Sequence, residues 1–334
     1  MWKKFVAGIL ILVVIVVAGF KIVSGKNNVQ KQVINLQEKL TSYHLEGNLE
    51  MRNGDEVRNF NVKVSYLLDN GKDYYRVSLY DTSVNQEQLI LRNRDGVYVL
   101  TPSLNQVYEF QGDWPNNSPK PYIYQSLLDV FNGEYEVQKL DDGYLVSSYP
   151  SFTNSNQWKK QEIKFTKDFI PVWVNIYGEK GELKVKFTVT NYEKNPTFSD
   201  KYFDLDDNYA TSKDNSTGVT ATIDDLPLYP VGANMAAELK DQTVTTIEGS
   251  TVHILAYDGS QSFTVVQKIL QSDDEMNVST IKGQLVDLDS GFGFYHNNSL
   301  TYCYNGVEYK IYSEVLSAAE LIEVANGMEV VTTK

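Results

Sequence analysis

A chain of 334 residues with a net charge of −13 is long enough for one large or two ordinary domains. Acidity without a dense basic face excludes a phosphate-neutralising nucleic-acid binder. The single cysteine, Cys303, excludes an internal disulfide and a cysteine-rich zinc site.

The chain opens with Met1-Trp2-Lys3-Lys4 and an uncharged apolar run, Phe5–Phe20, followed by Lys21, Ile22 and Val23. With Lys21 snorkelling to the interface, this is just long enough to span a bilayer. It also matches a signal peptide, but Val23–Gly25 makes a poor cleavage pattern because it follows a charge. The expectation is an uncleaved single-pass anchor over residues 1–25, with the bulk of the chain outside the cytoplasm. Asn28 to Thr41 reads as a helix, because Val29, Val33, Leu36 and Leu40 form one apolar stripe.

The period then changes to two. The 23 tyrosines already favour strands, and alternation marks eleven segments. The first three are centred on Tyr43–Met51, Phe60–Leu68 and Tyr75–Leu79. The others are Gln88–Asn93, Val97–Thr101, Gln106–Gln111, Tyr135–Leu140, Tyr144–Tyr149, Gln161–Thr166, Pro171–Tyr177 and Leu183–Tyr192. Turn pairs such as Asn70-Gly71, Asp95-Gly96 and Asp142-Gly143 separate many of them, which predicts an antiparallel, meandering sheet that curls. After Pro119 and Pro121, Tyr124, Leu127, Leu128 and Phe131 recur at helical spacing. That helix is expected to lie across the open apolar face.

From Ser199 to Asp225 the composition shifts to Asp, Asn, Ser and Thr, the signature of a linker. A small α+β module follows, with strands at Thr251–Tyr257, Ser262–Ile269, Leu285–Leu288, Leu300–Tyr304 and Val307–Tyr312. It closes with a helix at Ala318–Asn326 behind the capping box Ser317–Glu320. The expected divisions are therefore 1–25 anchor, 26–199 main β domain, 200–225 linker and 226–334 module.

Chemistry-bearing signals are sparse. His44, His253 and His296 are far apart. A Cys303–His296 nucleophile pair is conceivable, but no orienting third group or oxyanion hole accompanies it. The Asp doublets fall in expected turns. Asp287–Gly293, "DLDSGFG", opens like a calcium loop and lacks the later ligands. There is no phosphate-cradling glycine loop, HExxH or GxSxG. The expectation is a non-enzymatic protein with no cofactor and no metal. A curled sheet capped by helices offers an apolar face that is either a binding cavity or filled core.

The blocks "DYYRVSL", "ILRNRDGVYVLTPSLNQVYEF" and "DWPNNSPKPYIYQSLL" closely resemble the LolA-like sporulation proteins of the YdcC type. These belong to the superfamily of LolA and LolB lipoprotein carriers and RseB/MucB sigma-factor regulators. The tail "YNGVEYKIYSEVLSAAELIEVANGM" looks like the small C-terminal module of RseB-type relatives. The resemblance implies a mainly β (α+β) fold: a LolA-like eleven-strand antiparallel half-barrel with helices over an apolar cavity. It implies a lipid or lipoprotein acyl chain as ligand, or an envelope or cell-wall protein as partner. Candidate wall residues are Tyr75, Arg76, Val77, Val97, Val99, Tyr108 and Phe110, with Arg76 at the cavity mouth. Candidate lid residues are Trp114, Tyr124, Leu127 and Leu128.

Overall fold

The computed structural model describes residues 28–53, 56–111, 122–150, 158–215, 225–270 and 277–329. The expected anchor over residues 1–25 and the lid residue Trp114 lie outside them. Among the described residues no helix is long and apolar enough to cross a membrane.

Eleven strands form where alternation places them. They are β1 (Ser42–Asn53), β2 (Glu56–Asp69), β3 (Lys72–Asp81), β4 (Gln86–Arg92), β5 (Val97–Thr101) and β6 (Gln106–Gln111), then β7 (Tyr135–Leu140), β8 (Gly143–Ser148), β9 (Trp158–Thr166), β10 (Pro171–Gly178) and β11 (Leu183–Lys194). Their order is β6-β5-β4-β3-β2-β1-β11-β10-β9-β8-β7. Two meanders thus meet at the β1–β11 pair, and β6 and β7 stand at opposite edges of this group. The sheet curls, because Leu45, Val64, Val77, Ile90, Val99, Phe110, Tyr135, Val146, Ile163, Val174 and Phe187, one from each strand, share a single core. Laid flat, the same strands would span about 50 Å.

Two helices cover the concave face. Residues 28–38 form α1, which presents Val29 and Val33 to the core, with Leu36 packed against it. The short α2 (Tyr124–Leu128) sits in the connection that must cross from β6 to β7, and Tyr124, Leu127 and Leu128 are buried. Gln30 Nε2 donates to the Phe131 carbonyl at 3.0 Å and Gln37 Nε2 to Asp129 Oδ1 at 3.1 Å, tying α1 to the turn behind α2.

The acidic stretch read above as a linker contains a helix, α3 (Leu205–Asn215). Asp204 caps it, its Oδ1 accepting from the backbone N–H groups of Asp206 and Asp207 at 3.0 and 3.2 Å. Phe203 is buried on the convex face against Leu89, Leu91, Tyr98, Leu100 and Val107, with Leu205 and Tyr209 packed alongside. These three apolar residues outweigh the polar average of the segment. Residues 216–224 lie outside the described set.

The C-terminal module adds β12 (Tyr229–Pro230), β13 (Ala237–Ile247), β14 (Ser250–Gly259), β15 (Phe263–Ile269), β16 (Asn277–Lys282), β17 (Gln284–Leu288), β18 (Gly291–His296), β19 (Ser299–Tyr304), β20 (Val307–Tyr312), α4 (Ala318–Asn326) and β21 (Met328–Glu329). Seven of these form a sheet in the order β13-β14-β15-β20-β19-β18-β17. The α4 helix packs on it through Leu321, Val324 and Ala325. Its capping box is present: Glu320 N–H donates to Ser317 Oγ at 3.4 Å, and Ser317 N–H to Glu320 Oε2 at 2.7 Å.

The two sheets are not separate bodies. β16 runs parallel to β6 and becomes the twelfth strand of the larger sheet. The next strand, β17, belongs to the smaller one. Gly283 between them has φ +126°, and a Cβ there would stand 2.2 Å from the Tyr295 carbonyl oxygen, so only glycine fits this turn. β18, in a segment the sequence suggests is turn and loop, then places Phe292 and Phe294 in the half-barrel core.

Candidate functional site

Nine of the expected wall and lid residues come together on the concave face: Tyr75, Val77, Val97, Val99, Tyr108, Phe110, Tyr124, Leu127 and Leu128. None exceeds 6 % exposure. The Phe294 ring lies 5.4 Å from Tyr108 and 6.2 Å from Phe110. The Tyr108 hydroxyl is 3.1 Å from Cys303 Sγ and donates to Glu308 Oε2 at 3.3 Å. Gln88 joins the same contact, donating to the Cys303 carbonyl at 3.2 Å and accepting from the Phe292 N–H at 3.0 Å. At this end, then, the concave face meets the module through aromatic rings and hydrogen bonds.

Arg76 lies on the other face. In a strand of period two it cannot share a side with Tyr75 and Val77, and its Nε donates to Asn208 Oδ1 of α3 at 2.6 Å.

Cys303 and His296 are not brought together. In the β18–β19 register His296 faces Ser299, and Cys303 is four residues farther along, roughly 13 Å at strand spacing. Burial, with Glu308 adding to it, pushes the Cys303 thiol up to about 12, which keeps it protonated and a poor nucleophile. His296 is exposed in its turn. Among the described residues no His, Cys, Asp and Glu cluster has a metal-holding arrangement.

The structure does show a polar groove of about 670 Å³ between the convex face and α3. Its floor comes from outward positions of β1 to β4. Arg76 Nη2 lies 3.9 Å from Glu87 Oε1, with side chains 14 % and 8 % exposed. Ser78 Oγ donates to the same carboxylate. The other Glu87 oxygen, Oε2, is buried and accepts no hydrogen bond among the described residues. His44 bridges Ser65 and Glu46 at 2.8 and 3.1 Å, and Ser65 in turn meets the Tyr202 hydroxyl at 2.8 Å. The wall is α3 and the turn before it. Asn208 is locked there by donating to the Tyr202 and Asp204 carbonyls at 2.8 and 2.7 Å. At the rim, Lys63 stands 3.9 Å from Glu46 and Lys201 3.3 Å from Asp207.

Sequence reasoning did not select this groove. The polar residues of β1 to β4 read as an ordinary solvated face, and only α3 turns that face into a site. The available signal was Asp204 followed by Leu205 and Tyr209 at a helical interval.

The chain matches a family model described as "Sporulation protein YdcC-like" over residues 3–203. It is 32 % identical over 319 residues to sporulation protein YdcC of Bacillus subtilis strain 168, covering 91 % of each chain. Among solved structures, MucB in the Pseudomonas aeruginosa MucA/MucB complex is similar with a TM-score of 0.33 at 13 % identity, covering 92 % of this chain and 100 % of that one. A LolA superfamily protein from Nitrosomonas europaea is similar with a TM-score of 0.29 at 13 % identity, covering 54 % of this chain and 97 % of that one.

Proposed function

Since this chain belongs to the YdcC-like sporulation protein family, we propose that it is a non-enzymatic cell-envelope protein that works by docking a partner protein. In this reading the apolar run at residues 5–20 tethers it to the membrane by a single pass, and the rest faces the extracytoplasmic side. The partner is an envelope or cell-wall protein.

One observation supports docking over acyl-chain carriage: the concave face is occupied. A ligand site for an apolar molecule needs a space on the order of 300–1,000 Å³. Here the nine wall and lid residues are at most 6 % exposed, and Phe292 and Phe294 of the module pack among them. An acyl chain could enter only if α1, α2 or the module moved away.

The test is native mass spectrometry of the full-length chain extracted from membranes in mild detergent, paired with crosslinking in sporulating cells. The expected result is a protein mass without phospholipid or diacylglyceryl adducts, and a discrete crosslinked envelope protein. Stoichiometric lipid on the extracted chain would overturn the docking reading in favour of acyl-chain binding.

A further inference from the structure

We propose that the groove between α3 and the outer face of β1–β4 binds a neutral, polyhydroxylated glycan segment. The proposal goes beyond the docking reading and concerns the opposite face of the sheet.

The charge pattern carries the first part of the argument. The groove sets Lys63 near Glu46, Arg76 near Glu87 and Lys201 near Asp207. Positive and negative groups alternate and balance, so an anion such as phosphate meets three carboxylates and a cation meets three basic groups. Two of the pairs stand at 3.9 Å, outside hydrogen-bonding distance. Their donors and acceptors are left with capacity for a third party. Hydroxyl groups suit such a surface because each donates one hydrogen bond and accepts others.

The floor carries the second part. Glu87 has one oxygen engaged by Ser78 and the other buried without a hydrogen bond among the described residues. An unsatisfied buried carboxylate oxygen is unfavourable, and a ligand hydroxyl would satisfy it once the Glu87 carboxylate turns toward the groove that this residue lines. Arg76 beside it commits Nε to Asn208, and its Nη2 stands 3.9 Å from Glu87 Oε1. Tyr80 and Tyr202 add aromatic surface to the lining, against which the C–H face of a sugar ring can pack.

The shape disfavours an extended peptide. Extended peptides bind by joining a free strand edge or by filling apolar pockets. This floor is the face of a sheet whose strands are paired on both sides, and every residue lining the groove carries a charged, amide, imidazole or hydroxyl group. At about 670 Å³ the groove lies within the ordinary range for small-ligand sites.

The experiment is isothermal titration calorimetry of the full-length chain with the soluble tetramers of N-acetylglucosamine and of glucose, alongside inorganic phosphate and a zwitterionic tetrapeptide. The expected result is saturable binding of a tetramer and none of phosphate. Glu87→Gln keeps the shape of the floor and should weaken that binding about tenfold, the loss of a charge-assisted hydrogen bond. Tyr80→Ala removes a half-buried ring and should weaken it with only a small fall in melting temperature. The proposal is overturned if neither tetramer binds at millimolar concentration, if binding is the same in both variants, or if phosphate or the peptide saturates the site instead. A protein partner docking elsewhere leaves these titrations unaffected, so the two readings fail separately.

Discussion

Replacing Phe294 by alanine tests whether the module and the half-barrel share one core. The ring is 4 % exposed and lies between Tyr108 and Phe110, 5.4 and 6.2 Å away. Returning a buried phenylalanine to water removes about 1.5–3 kcal/mol of transfer free energy, and losing its aromatic neighbours removes about 0.5–1.5 kcal/mol more. Adding the cavity that remains, the expected loss is about 3–5 kcal/mol. The tryptophans make the assay specific. Trp2, Trp114, Trp158 and Trp173 all precede the module in sequence, and β9 and β10 hold the last two. Tryptophan fluorescence in a urea titration therefore follows the half-barrel, whereas the substitution is in β18. With a urea slope of roughly 2–3 kcal/mol per molar, the midpoint should fall by about 1–2 M. An unmoved fluorescence transition, or a shift worth less than about 1 kcal/mol, would refute the shared core and reopen the concave face to a ligand.

Three further outcomes are expected. Cys303, buried and with its thiol pushed up to about 12, should resist an aromatic disulfide reagent in the native protein and react fully in urea. Fast native labelling would contradict the packing described. Burial holds the His253 imidazole below its usual 6.5, and among the described residues neither ring nitrogen has a hydrogen-bond partner. As pH falls through about 6.5 the unfolded chain takes up a proton that the folded chain refuses, so stability declines from there until the folded histidine also protonates. His253→Phe should flatten that part of the pH dependence of the urea midpoint, and an unchanged slope would show that the ring titrates alike in both states. Gly283→Ala forces a side chain into a backbone at φ +126° facing a carbonyl oxygen. It should lower stability by about 2 kcal/mol or more in the same titration; a midpoint like that of the parent chain would show that the turn between β16 and β17 can relax.

The eleven strands of the half-barrel were legible because each announces itself locally. One face must be apolar, and Asn-Gly or Asp-Gly turns punctuate many of the joins. The α1 stripe and the Ser317 capping box are equally local. What the sequence hid depends on distant partners. β18 reads "GFGFYH", and its glycines resemble loop until Phe292 and Phe294 are seen to have an aromatic bed to enter. β13 is exposed along nearly its whole length, so alternation carries no burial signal there. α3 has an acidic, hydroxyl-rich surface, and its few apolar residues gain meaning only against Leu89, Leu91 and Leu100. The split between Tyr75 and Arg76, by contrast, could have been read from period two alone. The polar groove depends on both α3 and that split, which is why no motif marked it.

The pairing of β16 with β6 bears on how this protein can be divided and made. The β6 edge of the large sheet is covered by a strand that leaves the ribosome long after β6 has formed, and in a shortened chain ending before residue 277 it never arrives. Such a fragment would hold a bare parallel-accepting edge at Gln106–Gln111 and lose the rings that cover Tyr108 and Phe110. Exposed edges of this kind recruit other chains. The nascent half-barrel therefore has a window in which it is sticky, closed only by completion of its own C-terminus. A cut at the boundary suggested by the sequence near residue 199 would remove both β16 and the Phe292 and Phe294 rings from the half-barrel.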